Sequence, residues 1–173
     1  AVCIHFQRLG YKVFGLDNNQ RKCFFGEGGD TSSTHTWLLE NLPDYEHTES
    51  DVRDRETILE LFSKTRFNLI VHAAAQPSHD LAASIPFDDF ETNAVGTLNV
   101  LEATRQHAKD APFIYLSTNK VYGDRPNMIP LKEEKKRWEF NDPRYANGIA
   151  ETLDIDQSTH SLFGVSKTSA DLM

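Results

Sequence analysis

Residues 68–75 read Asn-Leu-Ile-Val-His-Ala-Ala-Ala, a nearly continuous apolar run that ends in three small residues. Such a run is typical of a β-strand that is buried on both faces of a sheet. Apolar residues then recur at helical spacing over residues 87–107, and residues 113–117 have the composition of another strand. The residues of this helix predicted to face inward are Phe90, Ala94, Leu98, Leu101 and Ala103. The order of strand, helix and strand predicts a β-α-β crossover between parallel strands.

The same alternation continues towards both ends of the chain. Further helices are predicted over residues 2–9, 36–41, 55–65 and 162–173, and further strands over residues 12–17 and 45–49. Alternating strands and helices predict an α/β fold with a doubly wound parallel sheet and helices on both faces. Residues 26–29 are glycine-rich and predict a flexible loop. Residues 122–161 form a polar stretch too long for a plain connection, which predicts a functional or partly ordered segment.

The composition disfavours several classes of function. The 173 residues are 39% hydrophobic, enough for one core, and their formal charge of −8 disfavours a nucleic-acid-binding protein. The most basic run, residues 132–137, contains Glu133 and Glu134, so a solvated charged turn is favoured over a polyanion site.

The spacing of the cysteines, apolar residues and histidines indicates the compartment and whether the protein binds membranes or metals. Cys3 and Cys23 show no disulfide pattern, which favours a reducing cytoplasm. No apolar run approaches the length of a membrane span, and the seven histidines lack metal-ligand spacing. We therefore expect a cytoplasmic protein that binds neither membrane nor metal.

Asp17 ends the predicted strand of residues 12–17 and is followed by a turn. In dinucleotide-binding folds an acid at this position accepts hydrogen bonds from the adenosine ribose; alternatively, Asp17 only begins the turn. That acid normally lies about 20 residues after a glycine-rich phosphate loop, and counting back from Asp17 runs past residue 1. The first strand and the phosphate loop are therefore expected to be absent from this chain.

Two further stretches are positioned to contact a nucleotide. Asp51 follows the strand of residues 45–49, where a carboxylate can accept a hydrogen bond from an adenine amino group, whereas Asp54 is placed to cap the next helix. Either acid can instead be a cap alone. Residues 73–75 are alanines, whose small side chains let a flat ligand approach the backbone, although buried packing explains them equally well.

Four motifs together carry a specific resemblance. They are Val-His-Ala-Ala-Ala-Gln at residues 71–76, Asn-Ala-Val-Gly-Thr-Leu-Asn at 93–99, Ser-Thr-Asn-Lys-Val-Tyr-Gly-Asp at 117–124 and His-Ser-Leu-Phe-Gly-Val-Ser-Lys at 160–167. In their order and spacing the chain resembles the extended short-chain dehydrogenases that act on nucleotide sugars. The resemblance covers nearly the whole chain, and within the family it is strongest to the CDP-tyvelose epimerases.

The resemblance implies a domain, a cofactor and partners. Residues 1–173 would form part of a Rossmann-type NAD-binding domain, truncated at both ends, with residues 122–161 as an insertion on the substrate side and the C-terminal substrate region absent. NAD is the implied cofactor, and a nucleotide sugar, by preference CDP-linked, is the implied substrate. Family members commonly dimerise through helices such as that of residues 87–107, so a homodimer is expected. The isolated chain is expected to be inactive.

The resemblance also implies roles for individual residues. Thr118 would hydrogen-bond the reacting sugar hydroxyl, with Asn119 and Lys120 near the sugar, and Lys167 would hold the nicotinamide ribose. The other implied cofactor-binding residues are Asp17 and Asn18 at the adenosine ribose, Asp51 and Val52 at the adenine, Ala73, Ala74 and Ala75 along the middle of the cofactor, and Asn93 in support of the active-site backbone.

One position departs from the family pattern. Four residues before Lys167, where the family has its catalytic tyrosine, this chain has Phe163. A phenyl ring has no proton to transfer, and a positioned acid–base group typically contributes about 10²- to 10⁴-fold to a rate. His160 and Tyr122 are candidate substitutes, and a structural role is the alternative for each.

The resemblance favours NAD-dependent epimerisation at carbon 2 of a CDP-linked deoxyhexose through a transient keto intermediate. Two alternatives remain open. One is a catalytically silent NAD-binding homologue, which Phe163 favours. The other is a nucleotide-sugar 4-epimerase or 4,6-dehydratase, although the dehydratases carry an acid pair where this chain has Asn119 and Lys120.

Overall fold

The computed structural model describes residues 1–173, the whole of the chain. The α-helices are α1 (Val2–Arg8), α2 (Gln20–Phe25), α3 (Ser32–Asn41), α4 (Arg55–Lys64), α5 (His79–Ala82), α6 (Pro86–Phe90), α7 (Gly96–His107) and α8 (Leu162–Asp171). The strands are β1 (Val13–Asp17), β2 (Tyr45–Glu49), β3 (Ile70–His72), β4 (Phe113–Tyr115), β5 (Leu131–Glu133) and β6 (Trp138–Phe140). None of the helices combines the length and the apolar character that crossing a bilayer requires.

The strands form two parallel pairs and one hairpin. β1 pairs with β2, with Val13 opposite Tyr45, and β3 pairs with β4, with Ile70 opposite Phe113. Helices connect the members of each parallel pair, as a crossover between parallel strands requires. β5 and β6 form an antiparallel hairpin, and the two parallel pairs do not hydrogen-bond to each other. The predicted α/β fold with parallel strands is confirmed.

An apolar cluster joins α4, α7 and the strands. Its innermost side chains are Ile58 of α4 and Ala103 of α7, which are 1% and 0% exposed. The buried members are Val52, Ile58, Phe62, Ile70, Val100, Ala103 and Ala108. Leu16 of β1 and Phe113 of β4 pack against them, so the cluster contacts both parallel pairs.

The helix predicted over residues 87–107 is present, but its buried face differs from the prediction. A π-helical turn, Glu91–Val95, joins α6 to α7. Ala94 and Ala103 are buried as predicted and Leu101 is half-buried, whereas Phe90 and Leu98 are 43% and 48% exposed. A π turn contains an extra residue and so changes which side chains point inward. The buried residues besides the alanines are Asp89, Thr92, Asn93, Gly96, Thr97, Asn99, Val100 and Thr104.

The glycine-rich stretch at residues 26–29 is not the flexible loop that the sequence predicts. It forms a 3₁₀ turn after α2, and a Cβ on the buried Gly29 would lie 2.4 Å from the carbonyl oxygen of Arg21. Lys22 Nζ lies 2.8 Å from the Asp30 carboxylate, and this ion pair stabilises the end of the turn. Helix α2 was not predicted because its apolar residues stand together at its end instead of recurring at helical spacing.

Residues 122–161 are more regular than a polar linker. They contain the β5–β6 hairpin and 3₁₀ turns at Arg125–Met128 and Pro143–Tyr145. In the exposed basic run, Lys132 Nζ lies 2.8 Å from the Glu134 carboxylate and 3.5 Å from that of Glu139. These charges are paired in solvent, which agrees with the predicted charged turn.

Truncating Ile58 tests the apolar cluster. We expect Ile58→Ala to lower the free energy of unfolding by about 2–5 kcal/mol, because it removes buried methyl groups and leaves a cavity. Leu39→Ala is the control, since Leu39 is 51% exposed on α3 and its loss should change stability by less than about 0.5 kcal/mol. Urea unfolding measures both; equal losses would contradict the assignment of the core.

Candidate cofactor and substrate site

A groove of about 250 Å³ opens where β1, β2 and β3 end. The carboxyl ends of parallel strands are where open α/β sheets bind ligands. Seven of the residues predicted to bind a cofactor line this groove, namely Asp17, Asn18, Asp51, Val52, Ala73, Ala74 and Ala75. The remaining predicted residues, Asn93, Thr118, Asn119, Lys120, Phe163 and Lys167, lie outside it.

Asp51 is held in place by an arginine and an asparagine. The Nε atom of Arg53 donates to both carboxylate oxygens, at 3.0 and 3.1 Å, and Asn18 Nδ2 donates at 2.9 Å. Burial by itself raises the pKa of Asp51, but the hydrogen bonds from Arg53 outweigh it and hold the pKa below its ordinary value. Arg53 also donates to Asp88 at 2.8 Å. Asp51 is therefore an ionised, fixed acceptor at the groove wall.

The backbone around Asp51 is anchored to α7. Asn99 Nδ2 donates to the carbonyl oxygens of Val52 and Arg53, at 2.9 and 3.2 Å. Gly96 permits the close approach, because a Cβ there would lie 2.6 Å from Val52 Cγ2. Asp54 accepts the backbone N–H of Thr57 at 3.1 Å, which confirms it as the cap of α4. Asp51 Oδ1 accepts the backbone N–H of Arg53 at 2.8 Å, so this acid supports the turn before α4 and also lines the groove.

Asp17 and Asn18 shape the turn after β1. Asp17 Oδ1 accepts the backbone N–H of Asn19 at 2.8 Å, so this acid does support a turn. Asn18 Oδ1 accepts the backbone N–H of Gln20 at 3.0 Å while its amide donates to Asp51. The side chain of Asp17 is exposed at the groove, where its carboxylate can accept hydrogen bonds from a ligand.

The groove offers hydrogen-bond acceptors and an accessible backbone to a ligand. Carboxylates of Asp17 and Asp51 match ribose hydroxyl and adenine amino donors, and residues 73–75 leave the backbone accessible. Thr92 also lines the groove, and its buried hydroxyl has no hydrogen-bond partner. Buried polar groups are usually paired, so this hydroxyl is available to a ligand. Sequence reasoning missed Thr92, although it directly precedes the Asn93 motif.

The side chain of Lys167, a residue of α8, reaches the carboxyl end of β4. Its side chain is 4% exposed, and Nζ donates to the carbonyl oxygen of Leu116 at 2.9 Å and lies 4.3 Å from the ring centre of Tyr115. Burial lowers the pKa of Lys167 to about 8, although the carboxylates of Asp171 and Asp89 partly oppose the shift. The ammonium is therefore retained near neutral pH but is easily deprotonated.

Thr118 follows the same strand. It is half-buried and precedes the 3₁₀ turn Asn119–Tyr122, in which Lys120 N donates to Thr118 Oγ1 at 3.4 Å. Asn119 and Lys120 are exposed on this turn. Lys167 and Thr118 thus both lie at the carboxyl end of β4, beside the end of β3 where the alanines of the groove begin.

Phe163 is 7% exposed at the start of α8. Its ring packs edge-on against that of His79, with centroids 6.4 Å apart and an interplanar angle of 78°. Of the two substitutes considered for the tyrosine, His160 has its Nε2 2.7 Å from the carbonyl oxygen of Ile155, while its buried Nδ1 has no hydrogen-bond partner. The hydroxyl of Tyr122, the other substitute, makes no hydrogen bond and its role stays open.

Asn93 lies in the π turn and sits at the centre of a buried hydrogen-bond network. Its Nδ2 donates to Ser166 Oγ at 3.0 Å and to Asp89 Oδ1 at 3.1 Å, and its Oδ1 accepts the backbone N–H of Gln76 at 2.9 Å. Gln76 Nε2 donates to Asp89 Oδ1 at 2.8 Å. The network connects the loop after β3 to α6 and α8, and the role of Asn93 at an active site stays a prediction.

Three members of this network were missed from the sequence. Gln76, Asp89 and Ser166 are 0–1% exposed, yet their types are usually found at the surface. Burial raises the pKa of Asp89 above its ordinary value, despite hydrogen bonds from Ser166 and Gln76. The available signal was the spacing of Asp89 and Asn93, four residues apart on one helix.

The chain matches known proteins over nearly its whole length. The model of the NAD-dependent epimerase/dehydratase family matches residues 1–171. CDP-paratose 2-epimerase of Salmonella typhi is 35% identical over 162 residues, which are 94% of this chain and 44% of that protein. dTDP-glucose 4,6-dehydratase of Haemophilus influenzae is 29% identical over 135 residues, which are 73% of this chain and 40% of that protein.

A solved structure of an NAD-bound epimerase is similar to the chain in fold. UDP-glucose 4-epimerase of Thermus thermophilus in complex with NAD is similar with a TM-score of 0.65 and 25% identity, over 99% of this chain and 44% of that one. The chain thus spans less than half the length of each of these three proteins.

The buried ammonium of Lys167 predicts a pH dependence of stability. The pKa is about 8 in the folded protein and 10.5 for the ordinary side chain. Between these values the unfolded chain binds a proton that the folded chain does not, so stability from this group rises with pH, by up to about 1.4 kcal/mol per pH unit. Below this window both states are protonated and the contribution is constant.

Chemical unfolding at several pH values measures this rise against a Lys167→Met variant. The difference in free energy of unfolding between the two proteins should change between about pH 8 and 10.5 and be flat below. A difference that is constant across the whole range would contradict a lowered pKa for Lys167.

Proposed function

The chain belongs to the NAD-dependent epimerase/dehydratase family, and we propose that the protein carrying it epimerises a nucleotide sugar at carbon 2 of a CDP-linked deoxyhexose. NAD is the cofactor of this family. The choice of substrate is supported by the 35% identity to CDP-paratose 2-epimerase over 94% of the chain. The reaction proposed passes through a transient keto sugar.

The observation that carries this proposal is the position of two sets of side chains. The nucleotide-matching carboxylates of Asp17 and Asp51 line the groove, and Thr118 and Lys167 lie at the end of β4. Because β3 and β4 are parallel neighbours, the alanines of the groove and Thr118 follow strand ends at the same edge. A dinucleotide lying along this edge would extend from the two carboxylates towards Lys167.

Each of these groups has a proposed task. Bound NAD supplies hydride transfer to and from the sugar carbon. Asp17 and Asn18 bind the adenosine ribose, Asp51 and Val52 the adenine, and residues 73–75 let the middle of the cofactor approach the backbone. Asn93 keeps that backbone in place through Gln76.

Lys167 and Thr118 act at the reacting end. Lys167 binds the nicotinamide ribose, and its positive charge favours loss of a proton from a nearby hydroxyl. Thr118 hydrogen-bonds the sugar hydroxyl, because its own hydroxyl can both donate and accept. Asn119 and Lys120 are exposed on the adjoining turn, and we propose that they contact the sugar.

The domain organisation is part of the proposal. Residues 1–173 form part of the NAD-binding domain, and residues 122–161 are an insertion on the substrate side. Turnover then requires a phosphate-binding loop and a substrate region besides these residues. Consistent with this, the two parallel strand pairs do not hydrogen-bond to each other and so keep unpaired edges that another strand can occupy.

A silent NAD-binding homologue is the second candidate. It is favoured by Phe163, a buried phenyl ring at the position of the family's catalytic tyrosine. Against it stands Thr118 with its surrounding motif, which a protein that only binds NAD has less need to keep. A 4-epimerase or 4,6-dehydratase is a third candidate. The relatives with these activities match the chain at lower identity than CDP-paratose 2-epimerase, and the dehydratase matches over a smaller share of the chain.

A homodimer is also proposed, through α6, α7 and α8. α6 contacts α8, and the π turn Glu91–Val95, which joins α6 to α7, contacts α8 as well. The three helices expose apolar side chains that the chain itself leaves uncovered. The residues are Phe87, Phe90, Leu98, Leu162 and Val165, from 42% to 81% exposed. Large exposed apolar patches usually mark interaction sites.

The complete gene product that carries this chain tests the proposed reaction. Purified protein should contain NAD and convert CDP-paratose into its carbon-2 epimer, followed by NMR. Thr118→Val should lower kcat by about 10- to 100-fold, the value of one hydrogen bond to a charged group, while Thr118→Ser keeps most of the rate. Full activity of the valine variant would contradict the role of Thr118, and NAD binding without turnover would favour the silent homologue.

Charging the apolar patch tests the dimer. We expect Leu98→Asp combined with Val165→Asp to convert a dimer into a monomer in analytical ultracentrifugation, because each carboxylate would be buried unpaired. Leu39→Asp is the matched control on α3, where Leu39 is 51% exposed. A complete gene product that sediments as a monomer before any substitution would rule the interface out.

A further inference from the structure

The proposed epimerase needs a group that moves a proton, and Phe163 cannot supply one. The phenyl ring is 7% exposed and lies one helical turn before Lys167 on α8. The side chain that contacts this ring edge-on is an imidazole, that of His79 at the start of α5. An imidazole is the side chain best suited to exchange protons near neutral pH.

His79 stands at the end of the loop that runs from the groove to α5. It follows the loop that begins with the alanines of residues 73–75, and Pro77 of that loop lines the groove. The side chain of His79 is 47% exposed, so it is open to a ligand as well as packed against Phe163. The imidazole of His79 is thus accessible to a ligand and also packs against Phe163, at the position of the family's tyrosine.

The backbone that carries His79 is held rigidly. Gln76 N donates to Asn93 Oδ1 at 2.9 Å, and Ser78 N donates to Gln76 Oε1 at 2.6 Å. Ser78 Oγ in turn accepts the backbone N–H of Leu81 at 3.1 Å and caps α5. Asn93 also holds Ser166 of α8, so the same network fixes both sides of the contact between His79 and Phe163.

The two ring nitrogens of His79 have different surroundings. Nδ1 lies 3.1 Å from Asp80 Oδ1, whereas Nε2 has no hydrogen-bond partner in the protein. When Nδ1 carries the hydrogen and donates it to Asp80, the unpartnered Nε2 is the nitrogen that can accept a proton.

We propose that His79 replaces the missing tyrosine as the acid–base catalyst. The inference rests on the proposed epimerisation. As the sugar carbon gives up hydride to NAD, the O–H bond of its hydroxyl breaks and an N–H bond forms at Nε2, which produces the keto sugar. When hydride returns to the opposite face, Nε2 gives the proton back to the oxygen. No further oxidant or reductant is consumed.

The test uses the complete gene product and four variants: His79→Gln, Phe163→Tyr, the double variant, and His107→Gln as an exposed histidine control at the end of α7. His79→Gln should lower kcat by about 10²- to 10⁴-fold, with NAD content and the Kd for CDP unchanged. Adding Phe163→Tyr to His79→Gln should restore turnover to within about tenfold, because the tyrosine again supplies the proton. His107→Gln should behave as the parent.

A second readout does not depend on turnover. Carbethoxylation of His79 by diethyl pyrocarbonate, located by mass spectrometry, should be slowed by a bound CDP-sugar, whereas that of His107 should not change. Turnover of His79→Gln at the parent rate, failure of the double variant to recover while Phe163→Tyr is active, or labelling unaffected by the sugar would each overturn the role of His79. A parent that binds NAD without turnover would overturn both this role and the proposed epimerase.

Discussion

The side-chain amide of Asn93 is the interaction on which the arrangement of the site depends. It joins the loop after β3, helix α6 and helix α8 through Gln76, Asp89 and Ser166. All four side chains are 0–1% exposed, so each lost hydrogen bond would leave a buried polar group unpaired, at a cost of about 1–3 kcal/mol. The π turn that contains Asn93 is part of the same arrangement, since such turns often occur at functional sites.

Charge is distributed unevenly around this network. Towards the groove, Arg53 pairs with Asp51 and Asp88 and keeps Asp51 ionised. Deeper in the protein, burial lowers the pKa of His72 to about 4, so this histidine is neutral and Lys167 is left as the cation at the end of β4. A cation there suits a site in which a nearby hydroxyl must lose its proton.

Much of the fold was predictable from hydrophobic pattern, because the strands at residues 13–17 and 70–72 and the helix at residues 55–64 follow it closely. The seven groove residues lie together because each of them follows or ends one of the strands β1, β2 and β3 that end at the groove. The pattern failed where polar contacts decide the structure. Helix α2 and the buried residues of the π turn are held by hydrogen bonds and ion pairs between distant residues, which periodicity does not report. His79 was missed for the same reason, because only the folded chain shows its contact with Phe163.

The central claim is that the groove at the ends of β1, β2 and β3 binds the adenosine half of NAD, with the nicotinamide directed towards Lys167. A crystal structure of the complete gene product with NAD and CDP measures this directly. The account predicts the adenosine ribose at Asp17, the adenine beside Asp51, and the nicotinamide ribose within hydrogen-bond distance of Lys167 Nζ. An adenosine bound away from Asp17 and Asp51, or a nicotinamide that does not approach Lys167, would contradict it.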